Sequence, residues 1–383
     1  MLRITAIVAS LFASATAAQT NLDTIHPGEH WPDTDGVHIN AHGGGVLHHD
    51  GVYYWYGEHK TTGRSGNRAH VGVRVYTSTE LVNWTNAGVA LAVSDDSMSE
   101  IIRGCTIERP KVLYNDTTGK FVMWFHLELK DHAYRAARTG CAIADAPTGP
   151  FEYLGSVRPN AGRYPIGITD NLKQRTAQPR RDPGPTPPPD ESKKERADRF
   201  FVRDFYGGQM ARDMNLFLDE DGTAYHVFAS EENYTLNIAE LDETFTKHTG
   251  RYARILPGEH REAPALFKRN GRYHLITSAA TGWRPNAAQH AVADSIWGPW
   301  QITGNPCVGD DADLTFRSQS TFVLQVAGAD DAFIFMADRW TPENPIDGRY
   351  IWLPIEFKND RPVLKFSDTW SPQQRFGLDA GRR

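Results

Sequence analysis

Arg261-Glu262-Ala263-Pro264-Ala265-Leu266-Phe267, then Asn270-Gly271, then Tyr273-His274-Leu275-Ile276-Thr277-Ser278, is the stretch whose reading decides the fold. A carboxylate opens a short apolar run, an Asn-Gly pair turns the chain, and an aromatic-rich run returns. Both turn residues tolerate the positive φ of a type I′ turn, so the stretch reads as a β-hairpin.

The pattern recurs four more times. His42 opens Gly43-Gly44-Gly45-Val46-Leu47, turned at Asp50-Gly51 into Tyr53-Tyr54-Trp55-Tyr56. Glu108 opens Arg109-Pro110-Lys111-Val112-Leu113, turned at Gly119 into Phe121-Val122-Met123-Trp124. Asp213 opens Met214-Asn215-Leu216-Phe217-Leu218, turned at Asp221-Gly222 into Tyr225-His226-Val227-Phe228. Gln319 opens Ser320-Thr321-Phe322-Val323-Leu324, turned near Asp330-Asp331 into Phe333-Ile334-Phe335-Met336. Two repeats also end alike: Ala144-Asp145 leads to Gly149-Pro150-Phe151, and Ala293-Asp294 leads to Gly298-Pro299-Trp300. Repeated sheet units too small to bury their own faces must pack around an axis. The expectation is an all-β, five-bladed β-propeller whose first strands line a central channel.

Around this core the chain is sparse in other signals. Residues 1–18 combine Arg3, a short apolar core and small residues, the pattern of a secretory signal peptide, which makes the protein secreted and extracellular. Residues 19–383 are expected to form one domain. No later run reaches the roughly eighteen apolar residues of a membrane span. A net charge of −6 with no basic stripe argues against nucleic acid. Cys105, Cys141 and Cys307 are too few for a disulfide scaffold, and Cys105 with Cys141 is left as an open pairing. Asn83, Asn115 and Asn233 head glycosylation sequons. Residues 158–205 contain the Pro-rich run Gln178 to Lys194, which cannot bury enough apolar surface to offset its ordering, and read as an exposed insertion loop.

The propeller brings His42, Glu108, Asp213, Glu262 and Gln319 to one end of the channel. Carboxylates crowded together repel one another, and a fold keeps such a cluster for function. The neighbouring Arg109, Arg212 and Arg261 should face away, since strand neighbours point to opposite faces. Paired carboxylates without a nucleophilic cysteine or a phosphate loop suit glycosidic bond cleavage, one acid protonating the leaving oxygen while another group handles water. Trp55, Trp124, Trp283 and Trp340 follow second strands near the same mouth, where aromatic faces suit sugars. Gly43-Gly44-Gly45 lets backbone approach the crowded axis. The histidines lack metal-ligand spacing, so no metal and no cofactor are expected.

With these residues in place the chain resembles glycoside hydrolase family 43, and within it the exo-β-1,3-galactanase-like branch. The segments that carry the resemblance include Asn40 to Gly45, Tyr53 to His59, Ile107 to Val112, Arg212-Asp213-Met214, Glu262-Ala263-Pro264, Ser318 to Thr321 and Asn344 to Tyr350. It implies an inverting hydrolase in which Glu262 is the general acid and Asp213 tunes and orients it. The usual first-blade Asp base is replaced by Ala41-His42, and the branch hands water to Gln319 with Glu108. A neutral amide is a poor proton acceptor, so Gln319 needs help from Glu108. The acid and the group opposite it should stand about 6.5–9.5 Å apart. Substrate contacts are expected from His42, Glu58, Tyr134, Trp283 and Trp340. The expected partner is an oligo- or polysaccharide, met by a monomer. Within the same family α-L-arabinofuranosidase or β-galactofuranosidase activity is the alternative, and a non-catalytic carbohydrate-binding propeller is the reading outside enzymes.

Overall fold

A computed structural model of the chain describes residues 21–177 and 189–378. The expected leader, residues 1–18, lies outside the described residues, as does the Pro-rich stretch 178–188 of the expected insertion loop.

Each quoted hairpin forms. Asn270 and Gly271 both take positive φ, 50° and 74°, and Arg269 pairs with Arg272 across the turn. The strands His42–His49, Thr106–Asn115, Met214–Leu218, Arg261–Arg269 and Gln319–Gln325 each begin a sheet, and each touches its neighbours in a closed ring. Four of these sheets are simple four-stranded meanders, and the one begun by Gln319–Gln325 has three strands. The two similar repeat endings adopt the same backbone, with cis Gly149-Pro150 and cis Gly298-Pro299.

The propeller class is as expected, but the expected count of five blades is corrected: there are six sheets. The sixth joins Cys307–Val308, Arg361–Lys365 and Glu356–Lys358, with Cys307–Val308 running parallel to Arg361–Lys365. Its Cys307 and Leu364 share an apolar cluster with Phe333, Phe335 and Leu353 of the fifth sheet. Asn359 and Asp360, both left-handed, turn the chain between the short strands.

The segment 158–205 is corrected as well. It carries helices α1 (Asp170–Thr176) and α2 (Lys193–Asp204), the second opened by a Ser192/Glu195 capping box. Leu172, Phe201 and Phe205 pack into the core with Trp124 and Tyr252. The apolar anchors stand outside the Pro-rich run, and reading that run as typical of the whole segment hid them. The three cysteines are buried and free, with Cys105 and Cys141 in different apolar clusters, so they do not pair.

Candidate active site

Four of the five inner strands start with a β-bulge, at His42/Gly45, Glu108/Lys111, Glu262/Ala265 and Ser320/Phe322. In three of them the residue after the opener is left-handed: Gly43 (φ 62°), Arg109 (56°) and Ala263 (54°). A bulge suspends the in-out alternation and re-aims side chains. The glycine run is needed where it stands: a Cβ on Gly44 would lie 1.9 Å from the Tyr56 carbonyl oxygen.

The openers meet around a cavity of about 400 Å³ lined by Glu58, Glu108, Tyr134, Asp213, Glu262, Trp283, Gln319 and Trp340. Of the residues expected there, His42, Trp55 and Trp124 are absent. His42 is fully buried behind Trp340 and stacks on Tyr350 at 5.3 Å. Its bulge turns the strand so that backbone, rather than the imidazole, approaches the axis. Trp55 and Trp124 are also core, 1% and 2% exposed. Trp283 is 43% exposed and meets Trp340 edge-on at 5.7 Å. A second hollow of about 500 Å³ opens at the far end of the channel. Much of its charge is engaged in ion pairs, Lys268 with Asp219 at 2.6 Å and Arg269 with Asp331, and none of the strand openers lines it.

Glu262 is held at both oxygens. Gln319 Nε2 donates to Oε1 at 2.9 Å and Asn233 Nδ2 to Oε2 at 2.8 Å. Burial, with Asp213 nearby, pushes its carboxyl up to about 8 against the opposing pull of Arg109 and Gln319. Glu108 behaves oppositely. Burial would raise it, but the His126 hydrogen bond and charge, with Lys60 and Tyr134, hold it well below the usual carboxylate range. His126 donates to Glu108 at 3.0 Å and to Glu128 at 2.9 Å. Burial would strip its proton, yet these two carboxylates lift it to about 9. Glu262 is therefore held toward its neutral form and Glu108 toward its ionised form, the division of labour that acid/base hydrolysis requires.

Arg109 overturns the expectation that it faces away. The bulge aims its guanidinium into the site, where it donates to Asp213 Oδ2 at 3.0 Å, to the Ser320 carbonyl at 2.9 Å and to Gln319 Oε1. Arg212 also reaches the cavity, donating to Glu232 and to the Tyr134 carbonyl, each at 2.8 Å. Arg261 does turn outward, to Thr277 and Ala287. Gln319 differs too. Its oxygen accepts from Arg109 and from Trp340 Nε1 (3.1 Å), and its nitrogen donates to Glu262 and Ser278 (3.1 Å). All the bonding positions of the amide are taken. It touches the acid directly instead of facing it across a sugar.

Glu58 lines the cavity from below, accepting from the Arg109 backbone N–H at 2.9 Å and from Lys60. Tyr134 donates to Glu108 at 2.6 Å. Lys60, Asn67 and Asn233 are neighbours of the site that the sequence did not point to, and Arg109 is one it turned the other way. Asn233 was noticed only as a sequon, and all three sequon asparagines spend their amide nitrogens inside the fold, on Leu22, Glu243 and Glu262. The repeat held one usable signal: Glu58, His126 and Asp338 stand directly across from their openers in the hairpin register.

Glu108, His126 and Asp213 place donor atoms within 4.8 Å of one another. They do not fit a cation. Both imidazole nitrogens are spent on carboxylates, and Arg109 already neutralises Asp213.

The model of the family "Glycosyl hydrolases family 43" matches residues 200–361. Among solved structures, a family 43 β-1,3-galactosidase with galactodeoxynojirimycin is 48% identical, with a TM-score of 0.85, covering 91% of this chain and 100% of that one. An exo-β-1,3-galactanase from Clostridium thermocellum is 35% identical (TM-score 0.73; 91% and 66% covered). One from Phanerochaete chrysosporium, solved with β-1,3-galactotriose, is 30% identical (TM-score 0.75; 93% and 70% covered). No curated protein sequence matches the chain.

Proposed function

The chain belongs to glycoside hydrolase family 43, and from that premise we propose that it is an inverting, exo-acting β-1,3-galactosidase of the exo-β-1,3-galactanase kind. The observation that carries the reading is the pairing of Glu262, neutral to about pH 8, with the ionised Glu108 in a hollow floored by Trp340. A cavity of this size suits one or two sugar rings.

Glu262 gives its proton to the glycosidic oxygen as the bond to C1 breaks. A water bonds C1 from the opposite face, and Glu108 receives its proton. Asp213 raises the proton affinity of Glu262 by charge. Gln319 can meet the water only by releasing one of its present partners, and otherwise serves to hold the acid. Tyr134 and Glu58 orient Glu108 and Arg109, and Trp340 offers the face on which the sugar stacks. The reactants are held in place by these contacts before any bond changes.

The similar solved structures are β-1,3-galactosidases and galactanases, which disfavours arabinofuranosidase, galactofuranosidase and non-catalytic readings. The protein is further proposed to be secreted through the leader over residues 1–18 and to act as a monomer. Mass analysis of exported protein and size-exclusion scattering test these two points. The central test is proton NMR of β-1,3-galactan digestion. First-formed α-galactose is expected, whereas first-formed β-galactose or no galactose release overturns the assignment. Glu108→Ala should lose about a hundredfold or more and regain turnover with azide, giving α-galactosyl azide. Absence of rescue, with Gln319→Ala equally damaged, would move the base role to Gln319.

A further inference from the structure

Arg109 and Trp340 carry only N–H donors toward Gln319, so the atom they meet must be its oxygen. That fixes the amide: its nitrogen faces Glu262 Oε1 and Ser278 Oγ. Each carboxyl oxygen of Glu262 thus accepts one N–H, Oε1 from an amide pinned at its other end and Oε2 from a second side chain. The side chain at Oε2 is Asn233, at 2.8 Å. We propose that Asn233 is a positioning residue for proton transfer, its N–H holding Glu262 Oε2 and tightening on that oxygen as it becomes an anion. This rests on the reading of Glu262 as the general acid.

The chain spends a great deal on placing this amide. Glu231, Glu232 and Asn233 are three successive non-glycine residues in the left-handed region, with φ of 55°, 55° and 64°. Such residues persist only where their surroundings dictate them, and they gather at working sites. Glu231 is fully buried and clamped by Arg254 (2.6 and 2.7 Å) and by the Thr235 hydroxyl (2.5 Å). Glu232 is clamped by Arg203 of α2 (3.0 Å) and by Arg212 (2.8 Å). At the other end of the Asn233 amide, Oδ1 is buried with no hydrogen-bond partner, so no acceptor contact competes with Glu262 for orienting the group.

In the step itself the carboxyl proton of Glu262 passes to the glycosidic oxygen. The C1–O electron pair leaves with that oxygen, water bonds C1, and the water's proton goes to Glu108. The hydrogen bond from Asn233 to Oε2 becomes charge-assisted only as the proton departs, and such bonds are about twice as strong as neutral ones. A contact that strengthens toward the transition state accelerates the reaction. Besides Asn233 and Gln319, the titratable and charged groups that line the cavity with Glu262 are Asp213, Arg109, Glu108, Arg212, Glu232, His260, Glu58, Lys60, His126 and Tyr134.

The test compares two leaving groups on the full-length protein. Asn233→Gly keeps the left-handed backbone accessible, and Asn233→Asp keeps the shape while removing the donor. On β-1,3-galactobiose, whose leaving group needs a proton, both variants should lose about tenfold or more in kcat/KM. On 2,4-dinitrophenyl β-galactoside, whose leaving group departs unaided, both should stay within about threefold. The basic limb of the galactobiose pH profile should move upward, since a carboxylate that loses a donor binds its proton harder. Equal losses on both substrates, or an unmoved basic limb, overturn the proposal. Glu262→Gln run on the same pair separates the two readings. If it shows the leaving-group difference and the Asn233 variants do not, only the role of Asn233 falls. If Glu262→Gln shows none, the general-acid reading falls first.

Discussion

Glu262 and Trp283 show how far single residues reach. The carboxyl of Glu262 binds its proton more tightly folded than unfolded, so the stability present below its ordinary value of 4.5 is lost as pH rises through about 8. Glu262→Gln should therefore gain melting temperature over the parent, and the gain should grow across that window while hydrolysis of galactan collapses. Thermal unfolding at pH values on either side of the window checks this, and a constant difference would mean that another group titrates. Trp283 stands at the exposed mouth, lines the cavity and meets Trp340 edge-on. Trp283→Ala should raise KM for galactan oligomers roughly tenfold, in the range of a lost aromatic contact, with kcat little changed. That Glu262, Asp213 and Glu108 share one site was legible because polar residues opening apolar strands stand out in a repeat. Asn233 and Arg109 were not, because nothing local distinguishes a turn asparagine or a strand arginine that the fold happens to aim inward.

At the scale of elements the bulges matter most. Strict alternation would have sent Arg109 outward, and one inserted residue in the ladder turned it onto Asp213 and Gln319. It is 4% exposed, and removing one partner of a buried ion pair leaves an uncompensated charge. Arg109→Met should cost about 3–5 kcal/mol by urea unfolding, more than its loss of side-chain area would explain. A cost near zero would show that Asp213 and Glu58 find other partners. Helix α2 is the second case. Its Arg203 clamps Glu232, and its Phe201 is fully buried. Phe201→Ala should lower stability by about 3–5 kcal/mol. It should also slow galactan turnover more than turnover of an activated galactoside, because the turn carrying Asn233 loosens. Proline-rich composition dominated the reading of that insertion, so its amphipathic ends escaped notice.

Over the whole molecule, the five sheets that line the channel are each tied to the next by polar contacts at the site. The Arg109 backbone N–H reaches Glu58, Arg212 reaches the Tyr134 carbonyl, Asn233 reaches Glu262, Gln319 reaches Ser278, and the Gly43 N–H reaches Asp338. Assembly of the ring and assembly of the site are thus the same event. Buried imidazole pairs stand between strands elsewhere, His226 with His248 at 3.0 Å and His274 with His290 at 3.1 Å. Burial drives them down, His248 and His274 to about 4 and His290 to about 3. The unfolded chain then binds more protons, so stability should fall as pH drops from about 6.5 toward 4. Chemical unfolding across that range, with His248→Gln or His274→Gln flattening the slope, checks the sign. The propeller class and the openers were decided by the sequence alone, since hairpin turns and period-two strands are local chemistry repeated along the chain. The blade count, the inward arginine, the saturated Gln319 and the exile of His42 were decided only by tertiary structure. A ladder's register, a bulge's direction and the partners of a buried amide depend on neighbours brought in from distant parts of the chain.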